Sequence, residues 1–133
     1  MAFWQPTLMT HPGSIYSQNN GSVIQGKVIS NDLTRIFRGD EILSVSINDT
    51  SVADAPSRTL AKQVIQLHRG QQFPIRYTVI FNKSRMPMDL NRLVASGGIT
   101  MSATIERSGQ LLYINDTRIS LKNNRRIPVI RVK

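Results

Sequence analysis

From Ser22 onward, apolar positions recur at every second residue. In SVIQGKVIS, Ile24, Gly26 and Val28 share one face while Val23, Gln25, Lys27 and Ile29 share the other, which is the period of a strand. EILSVSIND repeats the pattern: Leu43, Val45 and Ile47 alternate with Ser44, Ser46 and Asn48, as expected of a strand with one face on a core and the other in water. QQFPIRYTVIFN puts Phe73, Ile75, Tyr77, Val79 and Phe81 together, and Pro74 marks an edge or a strand start. GITMSATIE aligns Ile99, Met101, Ala103 and Ile105. The Ser-Gly pair of RSGQ then turns the chain into LLYIND, predicting a hairpin. RIPVIRV, short and β-branched, predicts a closing strand.

Two stretches break the period. In NKSRMPMDLNRLVASGG, Asp89 is placed to cap a short helix near 89–96 that carries Leu90, Leu93 and Val94 and stops at Gly97 and Gly98. In SRTLAKQVIQL, Leu60, Val64 and Leu67 fall at helical spacing, with Ser57 as N-cap and a composition that favours helix. A Gly-Asp, an apolar strand, a turn and such a helix form the phrase of a PDZ domain, a fold-level alternative. A PDZ carboxylate loop should then lie upstream, and nothing in GSVIQGKVISNDLTRIF matches one. Residues 1–21 are polar and without period, and read as a flexible tail or a remnant of expression; residues 22–133 read as one domain.

The tetrapeptide INDT occurs twice, at Ile47–Thr50 and Ile114–Thr117. Each copy sits where an alternating strand runs into a loop. Asn and Asp accept local side-chain bonds to the backbone and are disfavoured in strand interiors, so two strand exits account for both copies. Both also fit the N-glycosylation pattern, as do Asn20 and Asn82, which matters only in a chain secreted by a eukaryote.

Composition narrows the function. Seventeen Lys and Arg against eight Asp and Glu give a net charge of +9, which favours acidic partners or an anionic lipid surface. The densest basic run, Arg118, Lys122, Arg125, Arg126, Arg131 and Lys133, has no aromatic residue among its charges for base stacking, which weighs against nucleic acid. Without cysteine there is no thiol nucleophile, disulfide or cysteine-ligated metal. No stretch is apolar enough for a membrane-crossing helix. The two His, His11 and His68, make no pattern with the many Ser residues, and Asp40, Glu41, Asp49, Asp54 and Asp116 match no metal-binding loop. No phosphate-cradling Gly loop is present, so neither an enzyme nor a cofactor is implied.

Several phrases occur together in order: GKV in the first strand, Arg35-Ile36 before the second, VSINDTSVADAP, GQQFPIRYTVIFN, and SATIERSGQLLYINDTR. In these the chain resembles the YbaY/YscW family of small bacterial lipoproteins, which includes type III secretion pilotins. The resemblance covers residues 22–119. It implies an all-β, compact β-sandwich of about seven or eight mainly antiparallel strands, with Arg58–His68 as a strand. Two departures stand out: FRGD replaces the family's Leu-Pro-Pro phrase after Arg-Ile, and the basic run beyond Leu121 lies outside the resemblance.

By the same resemblance, the chain is expected to capture the C-terminal segment of a secretin subunit and to aid its targeting and assembly at the outer membrane. That task needs an apolar groove or a free sheet edge. Met86, Met88, Leu90 and Leu93 are the candidates, since flexible Met side chains suit an adaptable groove; the alternative is that they plug one end of the sandwich. A YbaY-type envelope protein with no secretin client is the other functional reading. The family's precursors carry a signal peptide and a lipid-bearing Cys, which implies the periplasm, at the inner face of the outer membrane, where such a Cys is present.

Overall fold

The computed structural model describes residues 15–18, 21–51, 56–82, 90–117, 119–121 and 125–132. In these the chain forms β1 (Ile15–Gln18), β2 (Gly21–Ile29), β3 (Ile42–Asp49), β4 (Arg58–Gln66), β5 (Ile75–Asn82), α1 (Leu90–Ala95), β6 (Ile99–Arg107), β7 (Gln110–Ile114), β8 (Ile119–Ser120), β9 (Arg126–Pro128) and β10 (Ile130–Arg131). The strands make a four-stranded and a six-stranded sheet packed as a sandwich. In the smaller sheet, β2 pairs with β5 along most of its length. On its other side it pairs with β1 from Gly21 to Ile24 and, in parallel, with β9 from Lys27 to Ile29. The larger sheet runs β10-β7-β6-β3-β4, with β8 taking over from β7 beside β6. The strands beyond the seven or eight expected are short ones; β1 lies within the segment read as a tail.

The alternating positions fill the core. Ile24, Val28, Leu43, Val45, Ile47, Ile75, Tyr77, Val79, Ile99, Met101, Ala103 and Ile105 are all at most 2% exposed, and the intervening residues, buried Thr100 apart, face outward. Period two thus decides which side of each strand is dry, and the apolar faces of the two sheets can only be removed from water together.

β4 is a strand, as the resemblance implies and the helical spacing does not. Leu43 lies opposite Ile65, Val45 opposite Gln63 and Ile47 opposite Ala61, so these three residues of β4 turn inward and Val64 is left 60% exposed. A helix here would have buried Val64 with Leu60, but it would leave the whole edge of β3 without hydrogen-bond partners. Backbone pairing outweighs the local propensity, and the PDZ arrangement is overturned with it.

Both sides of the sandwich are stitched. Gln63 Oε1 accepts the Thr78 amide at 2.7 Å, tying β4 to the neighbouring edge of β5. On the opposite side the chain crosses from β9 to β10: the Val129 amide donates to Ile29 at 2.9 Å and the Val132 amide to Leu112 at 2.8 Å.

Candidate partner-binding surfaces

The strand directions give the sandwich two functional ends. At one, β3 leads out, α1 crosses to β6, and both INDT segments lie. α1 stops because Gly97 adopts a left-handed conformation (φ +80°), with the Gly98 amide donating to Leu93 and the Gly97 amide to Val94, each at 3.0 Å. The first INDT holds this stop in place: the amide and hydroxyl of Thr50 donate to the Gly98 carbonyl at 2.8 and 3.2 Å. Asp49 Oδ1 accepts the Ser51 amide at 2.9 Å and its hydroxyl at 2.5 Å, which hold the Asp49 carboxyl below its ordinary pKa. On the outer face Asn48 bridges three strands, donating to Ser102 at 3.3 Å and accepting from Thr59 at 3.1 Å.

The second INDT fills a gap in a sheet. β7 ends at Ile114, and β8 resumes the pairing only at Met101 and Thr100 of β6. Between them, Asn115 Oδ1 accepts the Ala103 amide at 2.8 Å while the Asn115 amide donates to the Ala103 carbonyl at 3.3 Å. The side-chain amide of Asn115 thus stands in for a missing backbone carbonyl. The two copies share strand-end chemistry and no reactive function.

Of the expected groove residues, Leu93 is 6% exposed and packs in the core. Leu90 opens α1, while Met86, Met88 and the capping Asp89 lie outside the described residues. Three residues of the basic run lie among the described residues, Arg125, Arg126 and Arg131. Arg125 is half-buried, with Nη1 donating to the Leu121 carbonyl, and burial pulls its guanidinium below the ordinary value. Arg126 faces outward from β9 and Arg131 from β10; Arg118, Lys122 and Lys133 lie outside the described residues.

At the other end β2 leads into the 30–41 loop, which packs on the 67–74 loop. Phe37 turns inward to meet Phe73 and Tyr113 edge-to-face, at centroid distances of 5.4 and 6.1 Å. The Arg35 guanidinium lies 5.4 Å from the Phe37 centroid and 5.7 Å from that of Tyr113. Tyr113 donates its hydroxyl to Asp32 at 2.5 Å; burial first, then that bond, pushes its pKa up to about 12.

Glu41, fully buried, closes the loop. Its carboxylate accepts the Arg38 and Gly39 amides at 3.0 Å, with Arg107 at 3.9 Å. Burial alone would raise its pKa, but the amides of Arg38, Gly39 and Glu41 itself, with Arg35 nearby, hold it below the ordinary value. The family-like Arg35 therefore has a packing role, and the FRGD departure supplies the amides that Glu41 needs.

Among the described residues no nucleophile is set beside a base. His68 and Asp40 are exposed, and Glu41 and Asp49 are engaged by backbone amides. Among the described residues no group of His, Asp and Glu is placed to hold a metal, and no helix is long and apolar enough to cross a membrane. The fold offers outer sheet faces and two loop-built ends.

Comparison with known proteins agrees. Residues 20–129 match the family of type III secretion system lipoprotein chaperones (YscW), and the chain belongs to that family. It is 35% identical over 78 residues to the uncharacterized lipoprotein YbaY of Escherichia coli (strain K12), an alignment covering 59% of this chain and 37% of that relative's length. In fold it is similar to an alternative pilotin from the type II secretion system of Vibrio cholerae, with a TM-score of 0.69 and 24% identity over 85% of this chain and 98% of that one.

Three features escape a reading of the sequence. Glu41 follows a loop and carries no periodic signal, and the exposure of Leu33 and Ile36 is set by their neighbours' hydrogen bonds. The third, a row of basic residues on the four-stranded sheet, depends on strand register, which a single sequence does not display.

Proposed function

We propose that this protein is a pilotin-like envelope chaperone that captures the C-terminal segment of a secretin subunit and aids its outer-membrane targeting and assembly. The observation that carries the reading is membership, across residues 20–129, of a family of secretion-system lipoprotein chaperones. Support comes from the fold shared with a type II pilotin. The proposed docking site is the α1 end, with Met86, Met88 and Leu90 as its candidate contacts, while Leu93 packs in the core. The proposed location, which the lipoprotein family supports as far as the envelope, is the periplasm at the inner face of the outer membrane, for a precursor bearing the lipidated Cys.

The test is to immobilise the chain and present the C-terminal peptide of a secretin from the same organism at low and moderate salt. Retention at moderate salt, with competition by free peptide and loss in Leu90→Asp, is the expected result. Binding that vanishes with modest salt would reduce the effect to the +9 charge. The likeness to YbaY would then favour an envelope protein with no secretin client.

A further inference from the structure

The outer face of the four-stranded sheet carries an unusual row. Arg76 lies directly opposite Lys27, and Lys27 directly opposite Arg126, so three cations stand side by side on β5, β2 and β9. All three point outward, because Ile75, Tyr77, Val28 and Ile127 on either side of them point into the core. No Asp or Glu occurs anywhere in β1, β2, β5 or β9. Like charges directly opposite one another on a sheet oppose its formation, so the Lys27–Arg76 pair fits a face that meets an anionic partner.

The loop that continues β2 adds an apolar tip beside this row. Leu33 and Ile36 are 68% and 61% exposed, yet the loop is not free to tuck them in. The Leu33 amide donates to Asn31 at 2.9 Å and the Arg35 amide to Asp32 at 3.3 Å. Phe37 exchanges bonds with the other loop, donating to Gln71 at 2.9 Å and accepting from Gly70 at 2.8 Å. Gln72 Nε2 reaches the Leu33 carbonyl at 3.4 Å, which sets the tip against the 67–74 loop that leads into β5. Two large apolar side chains held in water by a pinned backbone, near two opposed cations on strands that carry no acid, match the interface of an anionic bilayer: lipid phosphates for the cations, acyl boundary for the tip. A flat, purely acidic protein partner would leave the tip unexplained.

Strand direction supplies a further observation. β1 runs antiparallel to β2, with Ile15 opposite Ile24 and Gln18 opposite Gly21, so its N-terminal end points toward the end where the 30–41 loop lies.

We infer that the outer face of the four-stranded sheet, through Lys27 and Arg76, together with the Leu33–Ile36 tip, is a peripheral docking surface for an anionic lipid bilayer. It orients the domain with the six-stranded sheet away from the membrane. The inference does not depend on the secretin reading, since no peptide enters its test.

The test is co-sedimentation of the full chain with vesicles of phosphatidylglycerol and phosphatidylcholine, against vesicles of phosphatidylcholine alone. Binding only to the anionic vesicles is expected. Lys27→Gln/Arg76→Gln should weaken it roughly 25-fold, about fivefold per cation near the surface. Lys62→Gln/Arg58→Gln, an equal change of charge on β4 of the other sheet, should weaken it far less.

Because the chain has no cysteine, a single environment-sensitive fluorophore can report the orientation. On Leu33→Cys it should shift to the blue on anionic vesicles, and on Val64→Cys it should not. Equal losses in the two charge variants, equal shifts at the two labels, or no binding by the native chain would each overturn the proposal. Thermal melts of the variants, all at outward-facing positions, separate loss of binding from loss of fold.

Discussion

The carbonyl oxygen of Arg125 lies directly over the α-carbon of Gly26. Tyr77 donates its hydroxyl to that carbonyl at 2.8 Å, and the Lys27 amide donates to it at 3.3 Å. A Cβ on Gly26 would overlap the carbonyl oxygen and stand 2.5 Å from the Tyr77 hydroxyl. Gly weakens a strand interior, so its place in β2 calls for such a close approach. Here the approach lets the chain cross the sheet and lay β9 beside β2, which in turn places Arg126 next to Lys27.

Gly26→Ala should therefore destabilise the fold by about 1–3 kcal/mol, the usual cost of forcing a methyl group into packed backbone. Tyr77→Phe should cost less, about 1 kcal/mol, because the Arg125 carbonyl keeps the Lys27 amide as a donor. Urea unfolding curves of both variants check the order. A larger loss in Tyr77→Phe would mean that the phenol, and not the close approach over Gly26, holds the crossing.

The two INDT copies should differ in what they are worth. Asn115→Ala leaves the amide of Ala103, a buried residue, without its acceptor, and the expected cost is about 1–3 kcal/mol. Asn48→Ala removes bonds to hydroxyl groups on an outer sheet face, where water can replace them, and should cost about 1 kcal/mol or less. Hydrogen exchange adds a local reading: the Ala103 amide should lose protection in the first variant and keep it in the second.

Much of this architecture is legible in the sequence, for a definite reason. The alternation through Ile24–Val28, Leu43–Ile47, Ile75–Val79 and Ile99–Ile105 fixes which residues are dry, and the two INDT segments mark strand exits. β4 is the instructive failure of local reading. Its helical spacing is real, but β3 offers it a ladder of hydrogen bonds, and only the family resemblance points to that outcome. The sites are less legible because they are built by register and by loops. No pattern along the chain announces that Arg76, Lys27 and Arg126 are neighbours, since they come from three strands far apart in sequence.

Acid should loosen the 30–41 loop through Glu41. Its folded pKa lies below the ordinary value, so the ionised carboxylate is the form that the loop amides stabilise. That stabilisation is complete above the unfolded pKa, near 4.5, and is lost as pH falls through the lower folded value. Glu41→Gln, with one acceptor oxygen in place of two, should cost about 1.5–3 kcal/mol at neutral pH, the range for hydrogen bonds to a charged group. It should also flatten the decline of stability below pH 4.5 relative to the native chain. Melting temperatures of both proteins across that window give the comparison, and parallel curves would count against Glu41 as the titrating group.

Leu93 and Leu90 should separate the architecture of the α1 end from its function. Leu93 is 6% exposed on a helix of only six residues, which has little stability of its own and is held by packing and by the Gly97–Gly98 stop. Leu93→Ala should cost about 2–5 kcal/mol, as truncation of a buried leucine does. Leu93→Asp should unfold the domain, since it buries a charge without a partner. Leu90→Asp stands at the first position of the helix, where a carboxylate is favoured by the dipole, so the backbone should tolerate it. Circular dichroism of the three variants, run beside the secretin-peptide assay, divides the outcomes. A folded Leu90→Asp that no longer retains the peptide supports docking at this end. A folded Leu90→Asp with native retention moves the peptide site elsewhere, and an unfolded one assigns Leu90 to the same packing as Leu93.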